Sequence, residues 1–242
     1  MEPEEHAAMP LAGGIMQHGY QCGMIWGATL AAGVQAFEQF GPGPKAESKA
    51  ILAAQKLVET FRANKHEINC SEITHTDRTS TTMQMIMYFL IKGGTIGCLR
   101  MAGKYAPAAY NDINSVLSEN NNDAPSPPVS CTAILAEKMG LSEKHKTMVS
   151  GFAGGIGLCG GACGALGAAI WIKTMKDSKD VKPKLEFNSP EALQLIEKFL
   201  EVSNYEFECS DIVGRKFENL DDHADYIRDG GCSKIIDELA SA

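Results

Sequence analysis

Cysteine is the residue type in this sequence that is best suited to do chemistry. The 242-residue chain contains eight cysteines, and six of them recur in the same order in its two halves, several beside glycine. The first set is Cys22, Cys70 and Cys98, and the second is Cys163, Cys209 and Cys232. Thiolates that converge from several segments can hold an iron–sulfur cluster or a zinc ion, or exchange disulfides. The second half adds Cys131, which precedes its glycine-rich stretch.

A fixed-offset match relates the two glycine-rich stretches. The sequence GGIMQHGYQCG at 13–23 aligns without a gap with GGIGLCGGACG at 154–164. A second pair, NCSEITH at 69–75 and ECSDIVG at 208–214, keeps the order cysteine, serine, acid, isoleucine. The Gly-Cys pairs at 97–98 and 231–232 extend the alignment. Self-similarity of this kind indicates a duplicated unit.

The segments that must position these cysteines have apolar residues at helical spacing. Apolar residues recur on one helical face in 46–61, and Ser189 followed by Pro190 is typical of a helix start. No alternating strand pattern appears, so we predict an all-α protein built from two degenerate repeats with glycine-rich, cysteine-bearing helices. The other predicted helices include 79–91 and 98–117, the latter bent at Pro107. The predicted organisation is a first repeat at 1–117, a linker rich in Asn, Pro and Ser at 118–129, and a second repeat at 130–242.

Charge and composition exclude several classes of partner. The net charge of −8 argues against nucleic acid, which demands a basic surface. The N-terminal sequence lacks the basic and apolar regions of a secretory signal, so we expect a cytoplasmic protein whose thiols stay reduced. Two uncharged stretches are long enough to span a bilayer, but because of their glycine content we do not expect them to insert into a membrane.

The cysteine pattern of the second half resembles a known family. Cys131, the segment ACGALG at 162–167, Cys209 and Cys232 follow the order of the redox-active family named C_GCAxxG_C_C for its cysteines. The chain departs from that pattern at Ala162, where the family has glycine, and at Gly164, where it has alanine. The resemblance covers about 130–239, and the first half looks like a degenerate copy over 13–103.

This resemblance implies an iron–sulfur or redox-thiol protein of anaerobic microbes. The cysteine region is also similar to that of split-Soret cytochrome c, which carries a binuclear iron–sulfur centre, so [2Fe–2S] is favoured over [4Fe–4S]. The chain has no Cys-x-x-Cys-His sequence, so we expect no c-type haem. The implied ligands are Cys131, Cys163, Cys209 and Cys232, with Cys22, Cys70 and Cys98 as a second or shared set.

Glycines surround the central cysteine of the second half. Gly160, Gly161 and Gly164 have no Cβ, so the backbone there can approach a cofactor closely. Cys159 matches no family position. It could be a spare ligand or a redox partner of Cys163, and we expect it to belong to the core. Its counterpart in the first half is His18, which is one candidate to complete a three-cysteine site there.

Three functions remain open from the residues alone. The favoured one is electron transfer through one or two iron–sulfur clusters, as a carrier or redox subunit rather than a stand-alone enzyme, with a redox protein as partner. The alternatives are a metal-free thiol–disulfide protein and a structural zinc module. Dimerisation of two identical chains could bring cysteine sites together, and the sequence leaves it open.

Overall fold

The structure, a computed structural model, describes residues 3–119, 130–177 and 189–241. Over these residues it contains α-helices, one 3-10 turn and one π-helical segment, with no β-strand, which confirms the all-α prediction. The α-helices are α1 (Pro3–Ala7), α2 (Gly23–Phe40), α3 (Pro44–Lys65), α4 (Cys70–Thr74), α5 (Thr82–Ile86), α6 (Gly94–Ser118), α7 (Cys131–Lys138), α8 (Glu143–Ser150), α9 (Gly164–Asp177), α10 (Pro190–Val202), α11 (Cys209–Val213), α12 (Leu220–Arg228) and α13 (Ser233–Ser241). The 3-10 turn is Met9–Leu11 and the π-helical segment is Met87–Ile91. The predicted linker lies almost entirely outside the described residues.

Helix starts follow the local sequence. The side chain of Ser189 accepts a hydrogen bond from the Ala192 N–H and Pro190 opens α10, as predicted. Thr81 and Gln84 form a reciprocal capping box at the start of α5. The apolar run predicted as one helix over 79–91 is divided between α5 and the π-helical segment. The helix predicted over 98–117 begins one turn earlier, as α6, and continues through Pro107.

Both halves contribute to one buried core. Helix α2 packs against α3 from its own half and against α8 from the other. The buried ring of Trp26 in α2 meets Phe152 edge-on at 4.7 Å between centroids. Gly33 makes the α2–α8 approach possible, because a Cβ there would lie 2.4 Å from the Met148 Cα. The loops that carry the cysteines therefore sit on helices held by a shared core.

A bent helical segment made by α5, the π-helical segment and the start of α6 exposes apolar side chains. Leu90 is 74% exposed and Leu99 68% exposed, and Met83, Ile91 and Ile96 are exposed beside them. No single helix within the described ranges has the length and apolarity needed to cross a membrane. The bent pair Thr82–Ile91 and Gly94–Ser118, at 59° to each other, reaches that length and composition jointly.

Candidate cysteine centres

Two loops with an unusual left-handed backbone precede the central cysteines. Every residue of 13–17 and of 154–158 has a positive φ, between 50° and 76°. This conformation costs a residue with a Cβ roughly 1–2 kcal/mol, which favours glycine. Gly14 and Gly155 are required for space as well, because a Cβ would lie 2.2 Å from the Tyr20 carbonyl oxygen and 2.4 Å from the Gly161 carbonyl oxygen, respectively. Both loops thus fold back tightly onto the residues just before a cysteine.

The same backbone hydrogen bonds then join the central cysteine of each half to the next one. In the first half, the Cys22 N–H donates to the Ile68 carbonyl at 2.8 Å and the Cys70 N–H donates to the Tyr20 carbonyl at 2.7 Å. In the second half the Cys163 N–H donates to the Phe207 carbonyl at 2.9 Å, and the Cys209 N–H donates to the Gly161 carbonyl at 2.7 Å. Isolated antiparallel bridges, Gln21 with Asn69 and Ala162 with Glu208, mark both junctions.

The four cysteines of the second half come together at the starts of four helices. Cys131 and Cys209 are the first residues of α7 and α11, and Cys163 and Cys232 immediately precede α9 and α13. Cys131, Cys163 and Cys209 are 8%, 7% and 9% exposed, and Cys232 is half-buried. Charges on Cys163, Cys131, Cys232 and, with the smallest effect, Cys159 would each raise the pKa of Cys209, so these thiols lie within electrostatic reach of Cys209.

Burial dominates the electrostatics of this set. It raises the pKa of Cys163 to about 12 and raises the pKa values of Cys131, Cys209 and Cys232. Opposing this, the N–H groups of Leu166 and Ala165 donate to the Cys163 sulfur. These thiols are protonated at neutral pH unless a cation compensates their charge. Within the ranges that the structure describes, no three His, Cys, Asp or Glu residues are grouped closely enough to hold a single metal ion.

Tyr226 contacts the second-half set through its hydroxyl group. Its hydroxyl donates a hydrogen bond to the Cys232 sulfur and lowers the pKa of that thiol, against the larger effect of burial. The ring of Tyr226 also packs over Gly231, where a Cβ would lie 2.2 Å from Cε1. Sequence analysis did not single out this tyrosine, since no motif marks it.

The three cysteines of the first half line a cavity of about 550 Å³. Burial, with smaller contributions from charges on Cys70 and Cys98, raises the pKa of Cys22 to about 12. Most of the other lining atoms belong to apolar residues, with Gln17, Thr74, Thr76 and Asp77 as the polar exceptions. None of these four polar residues was identified from the sequence, because they share no motif spacing with the cysteines.

The third cysteine differs between the halves. Gly94 packs under the Tyr88 ring as Gly231 packs under Tyr226, with a Cβ 2.3 Å from Cε1. The structural counterpart of Gly231 is therefore Gly94, whereas the sequence alignment paired Gly231 with Gly97. Cys98 consequently lies inside α6, one turn beyond its start, while Cys232 directly precedes α13 with φ of 59°.

The remaining predicted residues occupy supporting positions. Gly160 and Gly161 accept hydrogen bonds from the N–H groups of Ser210 and Cys209, and Gly164 starts α9 against Phe152. Cys159 is half-buried, and its thiol donates to the Gly155 carbonyl at 2.7 Å. The His18 ring stacks on Phe207, with 5.5 Å between centroids. His18 is absent from the described residues that line the first-half cavity.

Gln21 joins the two cysteine loops directly. Its side-chain amide donates to the Gly155 carbonyl at 3.1 Å and its oxygen accepts from the Ala162 N–H at 3.0 Å. Gln21 precedes Cys22 and Ala162 precedes Cys163, so the two centres are linked one residue from their central cysteines. The sequence alignment pairs Gln21 with an alanine, which gave no indication of this role.

Comparison with family models identifies the group to which the chain belongs. Residues 1–109 and 129–242 each match the model described as "Putative redox-active protein (C_GCAxxG_C_C)". The chain is a member of the C_GCAxxG_C_C family. Neither a curated protein nor a solved structure matches it. The second matched range contains Cys131, Cys163, Cys209 and Cys232, and the first contains Cys22, Cys70 and Cys98.

Proposed function

We propose that this C_GCAxxG_C_C protein transfers electrons through iron–sulfur clusters held by its cysteines. The observation that carries the proposal is the second-half set, in which Cys131, Cys163, Cys209 and Cys232 converge from four separate segments. A redox role is supported by membership of the family. The iron–sulfur assignment is our inference from the residues of this set.

The chemistry of the donor set fits such a cluster. Buried thiols with raised pKa values need cationic charge to ionise, and iron supplies it. The N–H groups of Gly154 and Thr132 donate to the Cys131 sulfur, which suits a thiolate that carries part of a cluster's negative charge. A bound cluster would supply one-electron transfer, and the low exposure of three of the cysteines would keep water away from it.

We further propose that the halves are degenerate copies of one unit, each forming a cysteine centre. The left-handed loops, the matching N–H donations of the paired cysteines and the two matched ranges support this duplication. The Gln21 hydrogen bonds would hold the two centres in a fixed relation. Fixed centres suit electron exchange because no domain motion has to precede each transfer.

A thiol–disulfide function is the second candidate, from a different class. Exchange needs an accessible thiol with a lowered pKa. In this chain burial raises the pKa values of Cys22, Cys163 and Cys232, and all eight cysteines are free thiols. These raised pKa values favour metal ligation over disulfide exchange. They are equally compatible with a structural zinc module, so metal analysis has to distinguish zinc from iron.

We also propose a partner, a cellular location and a cluster type for the protein. A redox partner with a basic face would complement the net charge of −8. A cytoplasmic, reducing location would keep the cysteines available as ligands. A binuclear cluster is the proposed type, on the resemblance to split-Soret cytochrome c.

The test is metal analysis of anaerobically prepared protein with paired substitutions. We expect iron and acid-labile sulfide in equal amounts, and a visible absorption band. Cys163→Ser should lose most of the iron that the second-half set binds. Cys159→Ser, the same substitution in the same loop, should keep it, because a serine can still donate to the Gly155 carbonyl.

The opposite pattern would contradict this assignment. Iron lost with Cys159→Ser and kept with Cys163→Ser would refute the ligand set. Stoichiometric zinc without sulfide would refute the cluster. Metal-free protein whose thiols oxidise reversibly would favour disulfide chemistry.

A further inference from the structure

The described residues that line the first-half cavity include three cysteines and no fourth cysteine or histidine. In the second half, the Gly154 N–H donates to the Cys131 sulfur. Gly13, which aligns with Gly154 in sequence and has the same left-handed φ, lines the first-half cavity. The described lining of the first-half cavity thus offers three thiols, whereas the second-half set has four.

The third cysteine and the segment that precedes it complete the cavity wall. Cys98 lies one turn inside α6, and Met85 and Phe89 from the preceding bent helical segment form part of the wall. The resulting volume of about 550 Å³ falls in the range of small-molecule sites, roughly 300–1,000 Å³. Three thiols therefore face a space that a small organic molecule can enter.

The polar groups of the wall favour a neutral ligand with an apolar body. The Thr74 and Thr76 hydroxyls are 2.8 Å apart and hydrogen bond to each other, and Thr74 also donates to the Cys70 carbonyl at 2.7 Å. Asp77 accepts hydrogen bonds from the N–H and hydroxyl of Thr79, which hold the pKa of its carboxyl below its ordinary value. Asp77 is therefore negatively charged at neutral pH, and it disfavours an anion.

We propose that the first-half cavity binds a small neutral molecule with an apolar body and one soft donor atom, which completes the ligand set of a cluster held by Cys22, Cys70 and Cys98. This inference rests on the proposed function, because it requires iron at the three thiols. The two halves of the chain would then have different functions. The second half supplies a cluster with four cysteines, and the first half supplies a cluster with a position open to an external ligand.

The probe for this site is n-butyl isocyanide, a neutral molecule with a soft carbon donor and a short apolar chain. Anaerobic iron-loaded protein is titrated with it and followed by electron paramagnetic resonance and visible absorption. Iron and sulfide are measured in the same samples. We expect a saturable spectral change in the wild-type protein, and no such change in Cys70→Ser protein that has lost only the first-half iron.

A cavity-filling variant tests whether the spectral change arises at the first-half cavity. Met85→Trp places a larger side chain at the cavity wall and should weaken isocyanide binding at least tenfold with iron unchanged. Leu90→Trp is the matched control, on the same bent helical segment but 74% exposed and outside the lining, and should bind as the wild type does. Ala12→Leu, also in the lining, replaces Met85→Trp if that variant fails to fold.

The outcomes separate this inference from the proposed function. Absence of iron and sulfide would overturn both. Iron that Cys70→Ser leaves unchanged would overturn only the first-half site. Iron present at that site with no spectral response, or with equal responses in the wild type and in a folded cavity-filling variant, would overturn the open position alone.

Discussion

Substitution of one loop glycine should test how the second-half centre is built. Gly155 has φ of 76°, and a Cβ there would lie 2.4 Å from the Gly161 carbonyl oxygen and 2.6 Å from the Gly161 nitrogen. Gly161 accepts the hydrogen bond of the Cys209 N–H, so a shift of its backbone moves Cys209 relative to Cys163. Gly155→Ala should therefore destabilise the fold and impair iron binding together.

The magnitude has two parts that a control can separate. An alanine at positive φ costs about 1 kcal/mol. Forcing backbone atoms apart adds an overpacking cost of about 1–3 kcal/mol, so Gly155→Ala should lose about 2–4 kcal/mol. Gly140 has φ of 74° with no atom within 4 Å of a Cβ, so Gly140→Ala should lose only about 1 kcal/mol, roughly 2–4 °C in Tm.

Anaerobic urea unfolding of the metal-free proteins measures both values, and iron content after reconstitution measures the site. We expect iron to fall in Gly155→Ala and to stay at the wild-type level in Gly140→Ala. Equal loss of stability in the two variants would refute the argument from the Gly161 contact. Full iron content in Gly155→Ala would show that the loop does not position the ligands.

Three further predictions follow from individual contacts. Gln21→Leu leaves the buried Ala162 N–H without a partner and removes one of the two donors to the Gly155 carbonyl, so urea unfolding should show a loss of about 1–3 kcal/mol, and no measurable loss would contradict the role of Gln21. Burial raises the pKa of Cys163 from 9.0 to about 12, so the folded metal-free protein holds this proton more tightly than the unfolded chain. The contribution of the Cys163 thiol to stability is then complete below about pH 9 and is lost as the pH rises toward 12. Urea unfolding midpoints measured at pH 7, 9 and 10.5 should therefore decline in the metal-free protein, and metal-loaded protein should lack this decline. Tyr226→Phe removes the donor to the Cys232 sulfur, so the pKa of that thiol should rise and its alkylation by iodoacetamide at pH 9 should slow, whereas unchanged alkylation would refute the hydrogen bond.

The amino-acid sequence by itself determined the class of the protein and its reactive residues. Helical periodicity predicted the all-α class, because a half-buried helix shows its apolar face directly in the spacing of residues. The fixed-offset match paired the GGI stretches of the two halves, and the structure has the same left-handed backbone at 13–17 and 154–158, a conformation that the sequence analysis did not predict. The resemblance to the C_GCAxxG_C_C family was confirmed over two ranges.

Only the tertiary structure decided how the cysteines are arranged. The sequence alignment placed Cys98 with Cys232, whereas packing of Tyr88 on Gly94 puts Cys98 one turn further along its helix. The cavity beside Cys22 and the Gln21 hydrogen bonds between the loops join residues far apart in the chain. Local propensity and spacing contain no information on such contacts, because they depend on how helices from both halves pack around one core.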